Sequence, residues 1–153
     1  MRKSIVQNRQ QPLIQEYLVH PEKAWIEDYA IVESTNFQNP LQTKVILNDE
    51  VKNEYPVGLH RAIGGLHEIA NPGDILCGAL ASCFESTMRM IANRLHIKLV
   101  KTSIKATAYA DVRGTLQMDK SVPVGFQKMK LEIAIEAEKN TPTNLLITLI
   151  KAT

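Results

Sequence analysis

The sequence has 153 residues, of which 44% are hydrophobic and 5% aromatic, and its 18 basic and 16 acidic side chains leave a formal net charge of +2. This length suits one domain with a hydrophobic core and is short for two. The charges are spread without a basic run, and few aromatic rings are present on which bases could stack. The composition therefore argues against nucleic-acid binding.

The chain shows neither a leader pattern nor a cysteine framework. Its basic first residues are followed by polar ones rather than by the apolar stretch of a signal peptide, and no window holds the roughly 18 unbroken apolar residues of a membrane helix. The two cysteines, Cys77 and Cys83, are six residues apart, a spacing typical of neither a zinc site nor a disulfide scaffold. We therefore expect a cytoplasmic protein with two thiols, no membrane contact, no metal and no cofactor.

The first part of the chain predicts an arm followed by short strands. Residues 1–23 are polar and rich in glutamine, and we interpret them as an N-terminal arm, with 24–153 as a single domain. Largely β-type apolar residues at 24–35 and 43–48, separated by a loop, predict a β-hairpin. A third strand is expected at 55–61.

The segment from Asn71 to about Leu95 gives the strongest local signal. Asn71 suits the N-cap, Pro72 the first helical position, and Asp74 places a carboxylate in the positive first turn. On a helical wheel the polar side chains occupy one sector about a third of the circumference wide, and the remainder is nearly all apolar. We therefore expect a helix that is buried over most of its surface.

The last third of the chain predicts two long strands and a helix. Alternating apolar residues at 97–110 and 125–137 indicate strands, joined by a turn-rich segment that contains Arg113. Thr141 and Pro142 are expected to cap and open the final helix. The order of elements indicates an α+β fold.

Two stretches resemble the signatures of the OsmC-like family, which includes thiol-dependent organic hydroperoxide reductases. The helix from Asn71 to Phe84 resembles the first signature. The segment with 111–116 and 122–126 resembles the second, and the similarity covers roughly 55–153. The resemblance implies an OsmC-like fold, in which antiparallel sheets wrap around a long central buried helix, and an intertwined homodimer.

The resemblance also implies a catalytic set. In the peroxidase members a helical cysteine attacks the hydroperoxide, an arginine and a glutamate hold the thiolate, and a second cysteine near the C-terminus resolves the sulfenic acid. Cys83 stands at the reactive position, and Arg61 lies close to that of the arginine. The glutamate's place is taken by Gly73, with Asp74 one residue later. The resolving cysteine would come a few residues beyond Thr153, so an external thiol or a missing C-terminal cysteine closes the cycle.

The chemistry of Cys83 requires a cation from elsewhere in the chain. Its neighbours at helical spacing are largely apolar, which disfavours a thiolate, and its position in mid-helix removes most help from the helix dipole. Arg61 and Arg113 could supply the charge, although Arg113 is also explained by an ion pair with Asp111. Cys83 itself could instead be a small buried packing residue.

Other candidate residues have simpler explanations. Cys77 lies about 10 Å from Cys83 along a helix, beyond disulfide reach, and is assigned to packing. His60 and His67 stand without a matching cysteine or carboxylate cluster, which is typical of solvated loop histidines.

Two hypotheses of function follow. In the first, the chain is an enzyme that reduces an alkyl or fatty hydroperoxide through Cys83 and Arg61. In the second, it is a catalytically degenerate homodimer that binds a small apolar ligand or is structural, and Gly73 marks the loss of activity.

Overall fold

The computed structural model describes residues 3–34, 37–48 and 50–153. The chain divides into two compact units. The first consists of Met1–Ile26, Leu80–Lys105 and Leu131–Thr153, and the second of Glu27–Ala79 and Ala106–Lys130. In chain order the helices and strands are α1 (Ile5–Val19), β1 (Thr43–Ile46), β2 (Glu54–Val57), α2 (Pro72–Arg94), β3 (Leu99–Tyr109), α3 (Val112–Thr115), β4 (Lys128–Ala137) and α4 (Thr143–Ala152).

The N-terminal arm is a helix, α1. The Ser4 hydroxyl oxygen accepts a hydrogen bond from Gln7 N, and Gln7 Oε1 accepts one from Ser4 N; this capping box fixes the start of the helix. No residue of α1 is buried. Polar contacts attach it to the end of α2: Val6 N donates to Asn93 Oδ1 at 3.1 Å, and Gln7 Nε2 donates to the carbonyl of Arg94 at 3.5 Å.

The first unit has a small core around the second half of α2. Met88, Ala92, Ile97 and Leu149 are its buried members, and partly buried side chains of β3, β4 and α4 pack against them. The strands β3 and β4 form a two-stranded antiparallel sheet. The layer that covers this half of α2 is therefore thin, because in the described residues it is formed by β3, β4 and α4.

The second unit contains a hairpin that differs from the predicted one. β1 pairs antiparallel with β2, with Thr43 opposite Val57, whereas the described part of 24–35 contributes an isolated bridge at Ile31; Thr35 lies outside the described residues. The strand at 43–46 was correctly located, but apolar alternation identifies a strand without naming its partner, and this strand pairs with the segment that follows it in the chain rather than with the one before it. The strand expected at 55–61 ends at Val57, and the chain then turns at Arg61–Ile63.

The helix α2 has the predicted bounds but not the predicted burial. Only Met88 and Ala92 are buried, while Leu76 and Met90 are 49% and 40% exposed. The expectation of burial on most of the surface is therefore wrong for the single chain, because the first-unit core covers one side of the helix. By length and composition alone α2 is also sufficient to cross a membrane, a property that core helices of soluble proteins share.

The helix α4 starts later than expected. Pro142 occupies the N-cap position and Thr143 is the first helical residue, while Thr141 N donates to the carbonyl of Glu138 in the preceding turn. One face of α4 lies on the core of the first unit, since Leu149 is fully buried and Leu145 and Leu146 pack on the same core.

Candidate active site

The start of α2 is closed by a reciprocal cap. Asn71 Oδ1 accepts hydrogen bonds from the backbone N–H groups of Gly73 and Asp74 at 2.7 and 3.2 Å. In return, Asn71 N donates to Asp74 Oδ2 at 3.0 Å. Asn71 is only 8% exposed, so these bonds satisfy a buried polar side chain as well as the helix end. The predicted cap is confirmed, and Asp74 is part of it.

Asp74 also pairs with His67. The same oxygen, Oδ2, lies 3.1 Å from His67 Nε2. The pKa of Asp74 is lowered, first by the hydrogen bond from the backbone of Asn71 and then by His67. The stabilisation from this carboxylate is therefore present above the ordinary aspartate pKa and is lost as the pH falls through the lowered value. Asp74 is thus occupied in a structural network and is not free to replace the family glutamate.

Removing the Asn71 cap is expected to destabilise the fold. Asn71→Ala should lower the free energy of unfolding by about 0.5–2 kcal/mol, because the N–H groups of Gly73 and Asp74 lose their acceptor. Thermal or urea unfolding measures the change. Asn140→Ala, at an exposed turn position, is the matched control. Equal midpoints for the two variants would contradict the role of the cap.

Gly73 leaves room that neighbouring side chains use. A Cβ at this position would lie 2.9 Å from Asn71 Oδ1 and 3.0 Å from Cζ of Phe126. Position 73 also stands ten residues before Cys83 on one helix, a rise of about 15 Å. A side chain at position 73 therefore cannot directly touch the thiol of its own chain.

The two thiols differ in exposure. Cys83, in the first unit, is an exposed free cysteine, whereas Cys77 is partly buried. The expected apolar surroundings of Cys83 are thus not supplied by the described chain alone. The hydroxyl of Ser86 donates to the carbonyl of Cys83 at 3.2 Å.

Cys83 is expected to react with iodoacetamide faster than Cys77, because reagent access follows exposure. Timed labelling of the folded protein, with peptide mass spectrometry, measures both rates. Labelling in concentrated urea is the control, since both thiols should then react at similar rates. Faster labelling of Cys77 in the folded state would contradict the prediction.

Arg61 lies in the second unit, at the start of the short turn Arg61–Ile63. Its Nε donates to the carbonyl of Leu66 at 3.2 Å, and the residue is exposed. His60 Nδ1 accepts from the N–H of Ala62 at 3.1 Å and so caps the turn. Cys83 belongs to the first unit. The pairing of Arg61 with the Cys83 thiolate therefore remains a prediction.

Arg113 is engaged by carboxylates. Its Nε lies 3.0 and 2.9 Å from the two carboxylate oxygens of Asp111, and Nη1 lies 3.9 Å from Asp119. The guanidinium holds the pKa of Asp111 below its usual range. The ion pair expected for Arg113 is confirmed, and Arg61 is the less constrained of the two candidate cations.

The sequence suggested that His60 and His67 are solvated loop residues, but in the structure both make contacts with other side chains or with each other. The rings of His60 and His67 have centroids 4.7 Å apart, and His67 holds Asp74. No sequence signal indicated the contact of His67 with Asp74, because it depends on how the loop folds back onto the helix cap. Among the described residues no group of three or more His, Cys, Asp or Glu has the arrangement of a metal site.

A sequence model described as OsmC-like protein matches residues 65–153, more than half of the chain. The chain belongs to the OsmC-like family. The match contains the whole of α2 with Cys83, the cap at Asn71 and the strands β3 and β4, whereas Arg61 and the arm α1 precede it. No match was found among curated proteins.

Solved structures of OsmC-like and organic hydroperoxide resistance proteins share this fold. An organic hydroperoxide resistance protein from Elizabethkingia anophelis has 18% identity and a TM-score of 0.58, with coverage of 84% of this chain and 81% of that chain. An osmotic stress induced and detoxification response protein from Psychrobacter arcticus has 19% identity and a TM-score of 0.59, with 84% and 82% coverage. An OsmC-like protein of unknown function from Vibrio cholerae has 12% identity and a TM-score of 0.61, with 83% and 86% coverage. At these identities the likeness shows the fold.

Proposed function

We propose that this OsmC-like protein takes part in defence against peroxides by reducing organic hydroperoxides through Cys83. The observation that carries the proposal is an exposed, free thiol on α2, at the position that matches the reactive cysteine of the resembling signature. Family membership and the organic hydroperoxide resistance proteins among the structural neighbours support it.

The reaction transfers one oxygen atom to sulfur. The Cys83 thiolate attacks the outer oxygen of R–O–OH, the O–O bond breaks, and the alkoxide leaves and takes up a proton to become the alcohol. Cys83 is then a sulfenic acid. Two equivalents of an external thiol reduce it back, releasing water and a disulfide. In this scheme Arg61 is the cation that keeps the thiol ionised.

The proposal includes a cytoplasmic homodimer. Much of the apolar surface of α2 is exposed in one chain, including Leu76 and Met90, and a second copy with the same apolar surface would cover it. The rise of about 15 Å between position 73 and Cys83 separates the two positions within one chain, and a second copy could bring them closer. Light scattering should give twice the chain mass of 17.2 kDa. A monomer at micromolar concentration would contradict this part of the proposal.

The test of the activity is consumption of tert-butyl hydroperoxide with dithiothreitol as the reductant. Cys83→Ser should reduce the rate to that of buffer, because serine cannot accept the oxygen atom. Cys77→Ser is the matched control and should keep most of the wild-type rate. A wild-type rate equal to buffer, from a folded dimer, would contradict the proposal.

The start of α2 favours a second candidate function, a dimer that has lost catalysis and binds a small apolar ligand. Gly73 carries no carboxylate, Asp74 is held in the cap, and the ring of Phe126 stands beside the vacant position. Ligand binding without any peroxide turnover is the outcome that would select this function.

A further inference from the structure

We propose that His67 is a positioning residue that sets the direction of the Arg61 guanidinium, an inference that rests on the proposed function of Arg61. Both residues lie in the second unit, on the loop between β2 and α2. His67 attaches this loop to the start of α2.

The loop is held to the start of α2 mainly by contacts at one oxygen atom, Oδ2 of Asp74. Asp74 Oδ2 accepts from Asn71 N at 3.0 Å and lies 3.1 Å from His67 Nε2. The side-chain amide of Asn71 lies 3.4 Å from the same histidine nitrogen. His67 is therefore fixed to the two residues that form the helix cap.

His67 in turn determines the carbonyl that holds Arg61. Arg61 Nε donates to the carbonyl of Leu66, and that carbonyl belongs to the peptide group shared with His67. The backbone of His67 has φ 54°, a left-handed conformation that is unfavourable for a residue with a side chain. The contact with Asp74 offsets this strain, so loss of the contact should let the peptide group rotate and release the guanidinium.

The remainder of the loop is too tight to move independently. A Cβ on Gly65 would lie 2.1 Å from the carbonyl oxygen of Leu59, and Gly65 N donates to the carbonyl of His60 at 3.1 Å. The titratable or charged groups of the described residues near His67 are His60, Arg61 and Glu68 on the loop and Asp74 on α2. The ion pair of Asp111 with Arg113 lies on α3, which packs against the turn that carries Arg61.

The test is a double-mutant cycle on the full chain, with two readouts. One is the second-order rate with tert-butyl hydroperoxide, and the other is the pH profile of Cys83 alkylation. His67→Ala should lower the peroxide rate about tenfold and move the alkylation midpoint to higher pH, as Arg61→Ala does. In the Arg61→Ala background, His67→Ala should have no further effect on either readout. His20→Ala, at an exposed position outside the loop, is the control.

Conservative variants separate positioning from folding. His67→Gln keeps a hydrogen-bond donor for Asp74 and should recover part of the rate, whereas His67→Gly loses the contact but also the backbone strain and should fall between alanine and wild type. Equal losses with and without Arg61, or an unchanged alkylation profile in His67→Ala or Arg61→Ala, would overturn the inference. If the wild type does not reduce peroxide, the proposed function fails, and the alkylation cycle alone still decides the inference.

Discussion

Arg61→Ala is expected to slow the reaction of Cys83 with tert-butyl hydroperoxide by about 10- to 1,000-fold at neutral pH. The reason is that removing a neighbouring opposite charge raises the pKa of an acidic group by roughly one to three units, and the thiolate is the reactive form. Stopped-flow kinetics measures the peroxide rate, and the pH profile of alkylation measures the ionisation of the thiol. Both should change together.

Arg113→Ala is the matched control for Arg61. Its guanidinium is held by Asp111 and Asp119, so its removal should leave the peroxide rate within about twofold of wild type. Arg61→Lys keeps the charge but not the planar donor group, and should be intermediate. A larger loss in the Arg113 variant than in the Arg61 variants would assign the cation to α3 instead.

Restoring a carboxylate at position 73 is expected to raise the peroxide rate only when Phe126 is also reduced in size. In Gly73→Glu, the better helix propensity and the interaction with the helix dipole should raise the free energy of unfolding by about 1 kcal/mol. Overpacking at this position should lower it by about 1–3 kcal/mol. The added Cβ would lie 2.9 Å from Asn71 Oδ1 and 3.0 Å from the Phe126 ring. The single variant should therefore be no more stable than wild type.

The double variant, Gly73→Glu with Phe126→Ala, is expected to react about tenfold faster than Phe126→Ala alone, since a carboxylate beside the Arg61 guanidinium would hold that guanidinium toward the Cys83 thiolate. Gly78→Glu is the matched control for a helical Gly→Glu change, because a Cβ at Gly78 meets no atom within 4 Å. Its rate should equal that of wild type. A double variant no faster than Phe126→Ala would show that position 73 does not act on the thiol.

The helix α2 shows which structural features can be predicted from the sequence. Its start depends on neighbours within four residues, Asn71 to Asp74, and the cap forms as predicted. The pairing of β1 was not accessible, because apolar alternation identifies a strand without naming its partner. The burial of α2 was overestimated for the same kind of reason: an apolar wheel shows that a surface should be covered, but not whether its own chain covers it.

The residues of the candidate site also differ in whether the sequence alone could predict them. Cys83 was found through a resemblance over a contiguous stretch, and its exposure then became visible in the fold. The contact of His67 with Asp74 depends on how the loop folds back on the helix cap, and periodicity carries no information about that. Residues joined by local spacing were predictable, whereas those joined by a loop conformation were not.

Oxygen transfer to Cys83 is tested by the mass of the reduced protein after one equivalent of tert-butyl hydroperoxide, without added thiol. We expect a gain of about 16 Da that maps to Cys83 and is trapped by dimedone as a sulfenic acid. This product should persist, because Cys77 is the only other cysteine in the sequence and lies about 10 Å away along the helix. An unmodified Cys83 would contradict the proposed chemistry, and a Cys77–Cys83 disulfide within one chain would contradict the helical geometry.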